Sequence, residues 1–225
     1  MVLNLTKTKE VVLGPPSITS NLLSISASSY QIQRASEAKL LGVHIDSNLS
    51  WHTHVEAIVS KAIQRLYFLK QLKRARVPHA QLLHFYISVI RPVLEYAVPV
   101  WHHLLTKSQT NSIESVQKRA LRIIYPFSND MPCSNYLDLA DLDSYTVSTQ
   151  RNELSHKFFH SIVHPTSSLH CLLPPPRDPD LLAPTKFPRI PSQTKKYQSF
   201  VSYALSRYQT YILSSPLMDH TLHPQ

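Results

Sequence analysis

Only two of the chain's 225 residues are glycine, Gly14 and Gly42. That scarcity limits the fold before any periodicity is considered. A phosphate-cradling P-loop and a dinucleotide-binding turn each need several glycines, so that backbone N–H groups can approach phosphate with no Cβ in the way. Tight hairpins lean on glycine for positive φ, which argues against a large, turn-rich β architecture. Helices need no glycine, and 43% apolar residues suffice for a core of one domain or one and a half.

The helical pattern is strongest from Trp51 to Tyr125. Between Trp51 and Leu72, residues Val55, Ile58, Val59, Ala62, Ile63, Leu66 and Leu69 recur at i, i+3, i+4 and i+7, one stripe for a core. Arg76-Val77-Pro78 predicts a turn. His79 to Ala97 carries Leu82, Leu83, Phe85, Tyr86, Val89, Ile90, Val93 and Leu94, apolar enough to be largely buried. Pro92 lies inside it and should kink or split it, since it has no N–H for the i−4 carbonyl. Thr106-x-x-Gln109 spells a capping box for a third helix ending near Tyr125, with Ile113, Val116, Ala120, Ile123 and Ile124 inward.

Outside this block the signals are shorter. Val2–Leu5 and Glu10–Leu13 read as strand pieces broken by Gly14-Pro15-Pro16, Ser17–Tyr30 as a hairpin, and Lys39–Ile45 as a strand entering a turn at Asp46-Ser47-Asn48. Tyr145 to Val163 predicts a fourth helix and Tyr197 to Ile212 a last amphipathic one. Seven prolines between Pro174 and Pro191 make the intervening stretch an extended linker or disordered segment. The expected fold is mainly α with a small N-terminal β element, a helical bundle followed by a Pro-rich irregular tail.

Charge is segregated along the chain. Residues 61–122 hold eleven basic side chains (Lys61, Arg65, Lys70, Lys73, Arg74, Arg76, Arg91, Lys107, Lys118, Arg119 and Arg122) against Glu95 and Glu114. The remaining stretches balance, so the whole formal excess of +9 sits in this helical third. A cationic surface confined to one helical block is what phosphate-backbone binding requires. A solvated helical face is the plainer reading, but such faces usually mix both signs. Tyr67 or Phe68 could add base stacking, although the core is the more natural place for both rings.

Two cysteines, Cys133 and Cys171, give neither zinc-ligand spacing nor a disulfide framework, so a reducing intracellular compartment, cytoplasm or nucleus, is expected. No run of 18 apolar residues suggests a membrane span, and Met1–Glu10 has no apolar core for a signal peptide. Thirteen histidines raise a metal question: His156, His160 and His164 share a helix face, and His52-x-His54 is a second pair. Pro165 ends the first group's helix, and no acidic ligand is evident to complete it. No metal, cofactor or catalytic residue is therefore expected.

Three blocks in fixed order carry a family resemblance: Leu3 to Glu10 (LNLTKTKE), Lys39 to Trp51 (KLLGVHIDSNLSW) and Arg91 to Tyr125. Together they resemble the back end of a non-LTR retrotransposon reverse transcriptase, over roughly residues 1–175. The resemblance implies that Asn4 and Lys7 belong to the last palm motif, Lys7 assisting protonation of the leaving pyrophosphate. It implies that Leu41-Gly42 is the primer-grip pair and that Arg91–Tyr125 is thumb and extension. Residues 1–50 would be palm and primer-grip hairpins, 51–126 a thumb-like bundle, 127–173 a helical extension, and 174–225 a Pro-rich linker with a short terminal helix. In that family the metal-binding aspartates stand upstream of the first block, and no Asp-Asp pair occurs in this sequence. Since polymerisation needs carboxylates to hold two divalent metals, a catalytically incomplete fragment is expected. Its partner would be RNA or an RNA–DNA hybrid, bound non-specifically through Lys61, Arg65, Lys70, Lys73, Arg74, Arg76, Lys118, Arg119 and Arg122. At the chain's end Ser199-Phe200 resembles the family's closing Ser-Phe pair, but the aromatic motif that follows is absent.

Two rivals stand beside this reading. Phe85, Tyr86, Tyr96 and Trp101 would face other polymerase domains in a parent enzyme and could instead make a helical protein-interaction module. His44-Ile45-Asp46 has the His-x-Asp form of the iron-binding triad of 2-oxoglutarate oxygenases, with His102 or His103 as third ligand. The region after Leu41-Gly42 also has some similarity to the N-terminal part of an AlkB-related tRNA-modifying protein. That oxygenase chemistry sits in a double-stranded β-helix of about eight strands, more sheet than this pattern supports.

Overall fold

The computed structural model describes Asn4 and residues 8–14, 16–19, 21–27, 30–125, 146–177, 185–192 and 194–209. The fold is mainly α with a small N-terminal β element. Strands β1 (Lys9–Glu10), β2 (Ser26–Ala27), β3 (Tyr30–Gln31), β4 (Gln33–Arg34), β5 (Glu37–Leu40) and β6 (Val43–Asp46) pair two by two. β1 lies parallel to β4, where Arg34 Nη2 meets Glu10 Oε1 at 3.2 Å. β2 pairs antiparallel with β3, and α1 (Pro16–Thr19) is a single turn ahead of them. β5 and β6 form a hairpin in which Leu40 faces Val43 and Glu37 faces Asp46. The continuous strand expected over Lys39–Ile45 is thus folded back on itself at Leu41-Gly42. Of the strand expected at Val2–Leu5 only Asn4 lies within the described residues.

Two compact units divide between Asn152 and Glu153. The first is organised by α2 (His52–Arg74) and α6 (Lys107–Ile124). Val55, Ile58, Ala62, Leu66 and Leu69 of α2 are buried, as are Ile113, Val116, Ala120, Leu121 and Ile124 of α6. Each of the valines, isoleucines and leucines among them contributes roughly 1.5–3 kcal/mol when fully removed from water. The two helices run side by side in the same direction. Gln109 Nε2, near the start of α6, donates to the Ser50 carbonyl just ahead of α2 (2.7 Å), and Lys73 Nζ at the end of α2 donates to the Ile124 carbonyl (2.9 Å). The Thr106–Gln109 capping box forms as its spacing predicts, with Gln109 N–H donating to Thr106 Oγ1 at 3.2 Å.

The segment between them departs from a single kinked helix. It comprises α3 (His79–Phe85), a π-helix (Tyr86–Ile90), α4 (Arg91–Glu95), α5 (Val98–Trp101) and a 3₁₀ turn (His102–Leu104). Pro92 has no N–H, and in an α-helix its ring presses on the carbonyl four residues back. The π-helix widens the chain just before it, with the Arg91 N–H reaching back to the Tyr86 carbonyl. Pro92 then falls in the first turn of α4, where a missing N–H costs little. Tyr86 and Trp101, expected to face other domains, are fully buried in this chain's own core, and Trp101 Nε1 donates to the Tyr96 carbonyl (2.9 Å). Tyr67 and Phe68 correct the opposite expectation. They are 59% and 57% exposed, because Leu66 and Leu69 already fill the inward stripe of α2.

α7 (Val147–Val163) matches the predicted fourth helix from Val147 on; Thr146 precedes it and Tyr145 lies outside the described residues. In the second unit Phe159, Phe187, Ala204, Leu205 and Tyr208 form a small core. There α8 (Phe200–Arg207) is capped by Ser199, whose Oγ accepts from Ser202 N–H at 3.1 Å, and the Phe187 N–H donates to Gln209 Oε1 at 2.9 Å. The described parts of the Pro-rich stretch are irregular apart from 3₁₀ turns at His170–Leu172 and Lys195–Tyr197.

Candidate nucleic-acid interface

The Leu41-Gly42 pair forms the two-residue turn of the β5–β6 hairpin, with φ of +47° and +87°. Positive φ at both positions matches the right-handed twist of the flanking strands. Gly42 adopts it freely. Leu41 does not, at a cost of roughly 1–2 kcal/mol, and it is 83% exposed, so burial does not offset the strain. The turn is held from outside: the Tyr96 hydroxyl donates to the Leu41 carbonyl at 2.7 Å. A Cβ on Gly42 would sit 3.5 Å from Tyr96 Cε1, so the requirement for glycine comes from φ and not from space.

Beneath this turn, among the hairpin, α2 and α4, lies a cleft of about 490 Å³. Lys39 and His44, opposite each other in the β5–β6 ladder, line one wall. Lys61 and Arg65, one turn apart on α2, line another, and Tyr96 closes the α4 side over Ile58 and Val93. Among the described residues no carboxylate lines it. Three like charges converging on one concavity repel one another, and an anion relieves that repulsion. Arg65 is fixed there because its guanidinium also donates to the Val89 carbonyl of the π-helix.

The remaining cations lie elsewhere. Lys70 and Arg74 follow Lys61 and Arg65 by nine residues, about two and a half turns, which puts them on the opposite side of α2. Lys73 is engaged by the Ile124 carbonyl and by His79 Nε2 (2.9 Å), and Arg91 by Glu95 at 2.6 Å. Arg76, Lys118, Arg119 and Arg122 are exposed. Because α2 and α6 run parallel, Lys73, Arg74 and Arg122 gather at their shared C-terminal end. Cations stabilise the negative end of a helix dipole there without any ligand. In the cleft set Arg65 meets the Val89 carbonyl, while Lys39 and Lys61 have no such explanation.

Of the palm-like pair, Asn4 is exposed and its carbonyl accepts from Thr8 Oγ1 (2.9 Å), while Lys7 lies outside the described residues. The oxygenase-like pair is not arranged for iron. Asp46 Oδ1 accepts from the Ser50 N–H at 2.8 Å and Oδ2 from the Ser50 hydroxyl. Among the described residues no three His, Cys, Asp or Glu side chains are placed to hold a metal ion. Nor do the described residues form a β-helix, only three two-stranded ladders.

Two buried polar groups of the first unit, His54 and Arg151, are absent from the expectations drawn from the sequence. His54 is 1% exposed, edge-on to Trp101 (5.3 Å) and Trp51 (6.2 Å), and its Nδ1 accepts from the His44 N–H at 3.5 Å. Burial, then the neighbouring His44, pushes its pKa down to about 4, so it is neutral at pH 7. Its neighbour in the sequence pair, His52, points instead to Glu56 (3.2 Å). Arg151 is fully buried, with its guanidinium 5.9 Å from the Trp101 ring and Nε donating to His102 Nδ1 at 3.3 Å. Burial lowers its pKa while Glu114, 4.0 Å away, and Glu95 oppose that shift. The signal was present in the sequence, since Val147, Arg151, Ser155 and Phe159 are spaced four apart along the buried stripe of α7.

Residues 51–91 match the family described as "Alkylated DNA repair protein alkB homolog 8, N-terminal". The matched stretch runs from Trp51, just ahead of α2, into the start of α4, helical but for Trp51 and the turn at residues 75–78, and includes none of His44, Asp46, His102 and His103. A separate similarity is to the "Probable RNA-directed DNA polymerase from transposon BS" of Drosophila melanogaster, 27% identical over 95 residues. That match takes in 41% of this chain, which spans only about a tenth of the length of that relative. No solved structure matches. No helix among the described residues is long and apolar enough to cross a membrane.

Proposed function

We propose that this chain corresponds to the end of the palm, the primer grip, the thumb and the following extension of a non-LTR retrotransposon reverse transcriptase. In this reading it retains non-specific binding of RNA or an RNA–DNA hybrid but does not polymerise. The observation that carries it is the cleft under the Leu41-Gly42 turn, where Lys39, Lys61 and Arg65 converge with no carboxylate among the described lining residues. Supporting it are the similarity to a transposon RNA-directed DNA polymerase and the segregation of net charge to residues 61–122. A phosphate seated in the cleft would meet three cations and Tyr96, while Leu41 stands exposed at the rim for a base or sugar. Contacts of this kind position a strand without reading its sequence.

The test is fluorescence anisotropy with a labelled RNA and an RNA–DNA hybrid of unrelated sequence. Joint reversal of Lys39, Lys61 and Arg65 to Glu abolishes binding, while reversal of Lys118, Arg119 and Arg122 weakens it less. Unchanged affinity in the cleft variant sinks the assignment. Absence of primer extension with added magnesium is the expected companion result, and measurable synthesis refutes the non-catalytic part.

One observation favours a second reading, a helical protein-interaction module. Phe68, Leu72, Phe85 and Val89 line an open apolar groove between α2 and the α3–π segment. Salt separates the two: phosphate contacts weaken steeply with ionic strength, whereas apolar docking is nearly indifferent to it. A 2-oxoglutarate oxygenase related to the AlkB group has only the match over residues 51–91 in its favour.

A further inference from the structure

We propose that His156 and His160, on the face of α7 within the second unit, form a surface chelate for a divalent ion of the copper, nickel or zinc type. The two Nε2 atoms stand 3.1 Å apart, with ring centroids at 4.4 Å and planes inclined at 79°. Two imidazoles bound to one zinc at about 2.0–2.1 Å with a tetrahedral angle have their nitrogens about 3.3 Å apart. At the right angle of tetragonal copper or octahedral nickel the separation is about 2.9 Å, from the same bond length. The observed spacing falls between these, so an ion needs little side-chain movement to engage both rings.

The two histidines contribute differently. His156 is half-buried, its ring edge-on to Tyr208 at 5.2 Å, and Tyr208 belongs to the core of the same unit. Packing therefore fixes one ligand in advance. His160 is exposed and gives the ion its approach. In the metal-free pair one Nε2 must carry the hydrogen that the other accepts. On coordination that ring moves its proton to Nδ1, and both Nε2 lone pairs go to the metal. Glu153 stands one turn before His156 on the same face, and its charge is felt there. It is a carboxylate on the same helix for the ion to recruit. His164 does not join, since its Nδ1 is 2.8 Å from Thr166 Oγ1 beyond the end of α7.

With two imidazoles preplaced and no third ligand in position among the described residues, water completes the coordination. Such a site holds an exchangeable ion and not a structural zinc. The general affinity order for nitrogen ligands places copper(II) first, then nickel(II) and zinc(II).

The experiment titrates the full chain with nickel chloride and copper sulfate, followed by calorimetry and d–d absorption, beside His160→Ala and His164→Ala. Of the thirteen histidines, the eleven other than His160 and His164 are common to all three proteins and set a shared background. Wild type and His164→Ala should take up one equivalent more than His160→Ala. Pulsed electron paramagnetic resonance of the first bound copper should show two imidazole nitrogens, reduced to one by His160→Ala. Because His160 is exposed, its replacement leaves helix content unchanged by circular dichroism. Equal stoichiometry in wild type and His160→Ala, or copper bound through a single imidazole in both, overturns the proposal.

Discussion

The hydroxyl of Tyr96 donates a 2.7 Å hydrogen bond to the carbonyl of Leu41, joining the end of α4 to the tip of the β5–β6 hairpin across 55 residues of sequence. That bond closes the cleft in which Lys39, Lys61 and Arg65 meet. Without it the hairpin keeps its ladder but loses its tie to the helices. Tyr96→Phe should therefore cost only about 0.5–1.5 kcal/mol in urea unfolding, the usual worth of one hydrogen bond. Amide exchange should accelerate in Val43–Asp46 well beyond what that loss implies for the rest of the unit. Uniform acceleration throughout would mean that the bond does not pin the hairpin.

Leu41 occupies a backbone conformation that asparagine tolerates far better, and Asn-Gly is the preferred pair for this turn. Leu41→Asn should raise the urea midpoint, by the equivalent of about 1 kcal/mol of relieved strain, since little burial is lost from an exposed side chain. The same variant should bind polynucleotide more weakly if Leu41 lies at the rim of the interface. A more stable protein with unchanged binding would leave the leucine without a role.

How far these features could be read from the sequence depended on how local their causes are. The stripe of α2 and the Thr106–Gln109 box follow from spacings within one helix; the box forms as spelled, and the stripe does at Val55, Ile58, Ala62, Leu66 and Leu69, while Ile63 at its margin is 41% exposed. The β5–β6 turn was missed because a leucine at positive φ is the opposite of a turn signal, so Lys39–Ile45 scanned as one strand. Pro92 announced a break, but the widening falls at Tyr86–Ile90, ahead of it, and the Val89 carbonyl there is satisfied by Arg65 from another helix. Tyr67 and Phe68 were expected inside on hydrophobicity alone, whereas the helical repeat gives the inward positions to Leu66 and Leu69. Charge alone points to Lys61 and Arg65. It does not point to Lys39, because only the fold brings the hairpin to α2.

His54 makes acid stability a test of the core behind the cleft. Its folded-state pKa of about 4 lies below the ordinary value of 6.5, so the unfolded chain binds more protons between those values. Stability must then rise with pH across that window and be unaffected by this group above it. The loss on going from pH 7 to pH 4 amounts to roughly 3 kcal/mol at most, from the width of the window. His54→Phe keeps a ring between Trp51 and Trp101 and removes the titration. Denaturant unfolding from pH 4 to 7 should show a shallower slope for this variant, and parallel curves would exclude His54 as the cause.

Arg151 offers a contrast between two replacements. Its guanidinium is fully buried beside Trp101, and it is the cation nearest Glu114, whose carboxylate also accepts from the Ser148 N–H at 2.7 Å. Arg151→Ala leaves a cavity against Trp101 and strands Glu114, a combination expected to cost about 3–5 kcal/mol. Arg151→Met refills much of the volume and should recover part of that loss. Equal destabilisation by the two would mean that charge alone, and not packing against Trp101, sets the cost.

Salt dependence gives the cleft its most quantitative test. Each phosphate neutralised contributes a slope of about −0.9 to log K against log salt on a B-form duplex and about −0.7 on a single strand. Lys61 lies in the cleft with no acidic neighbour lining it, so Lys61→Ala should make the slope for single-stranded RNA shallower by roughly 0.7. Lys73 already donates to the Ile124 carbonyl, and Lys73→Ala should leave the slope alone while lowering stability through loss of that cap. The pair separates a contact with phosphate from a contribution to the fold. If both variants shift the slope equally, the charge acts through the general field of the helical block, and the cleft has no special claim on the strand.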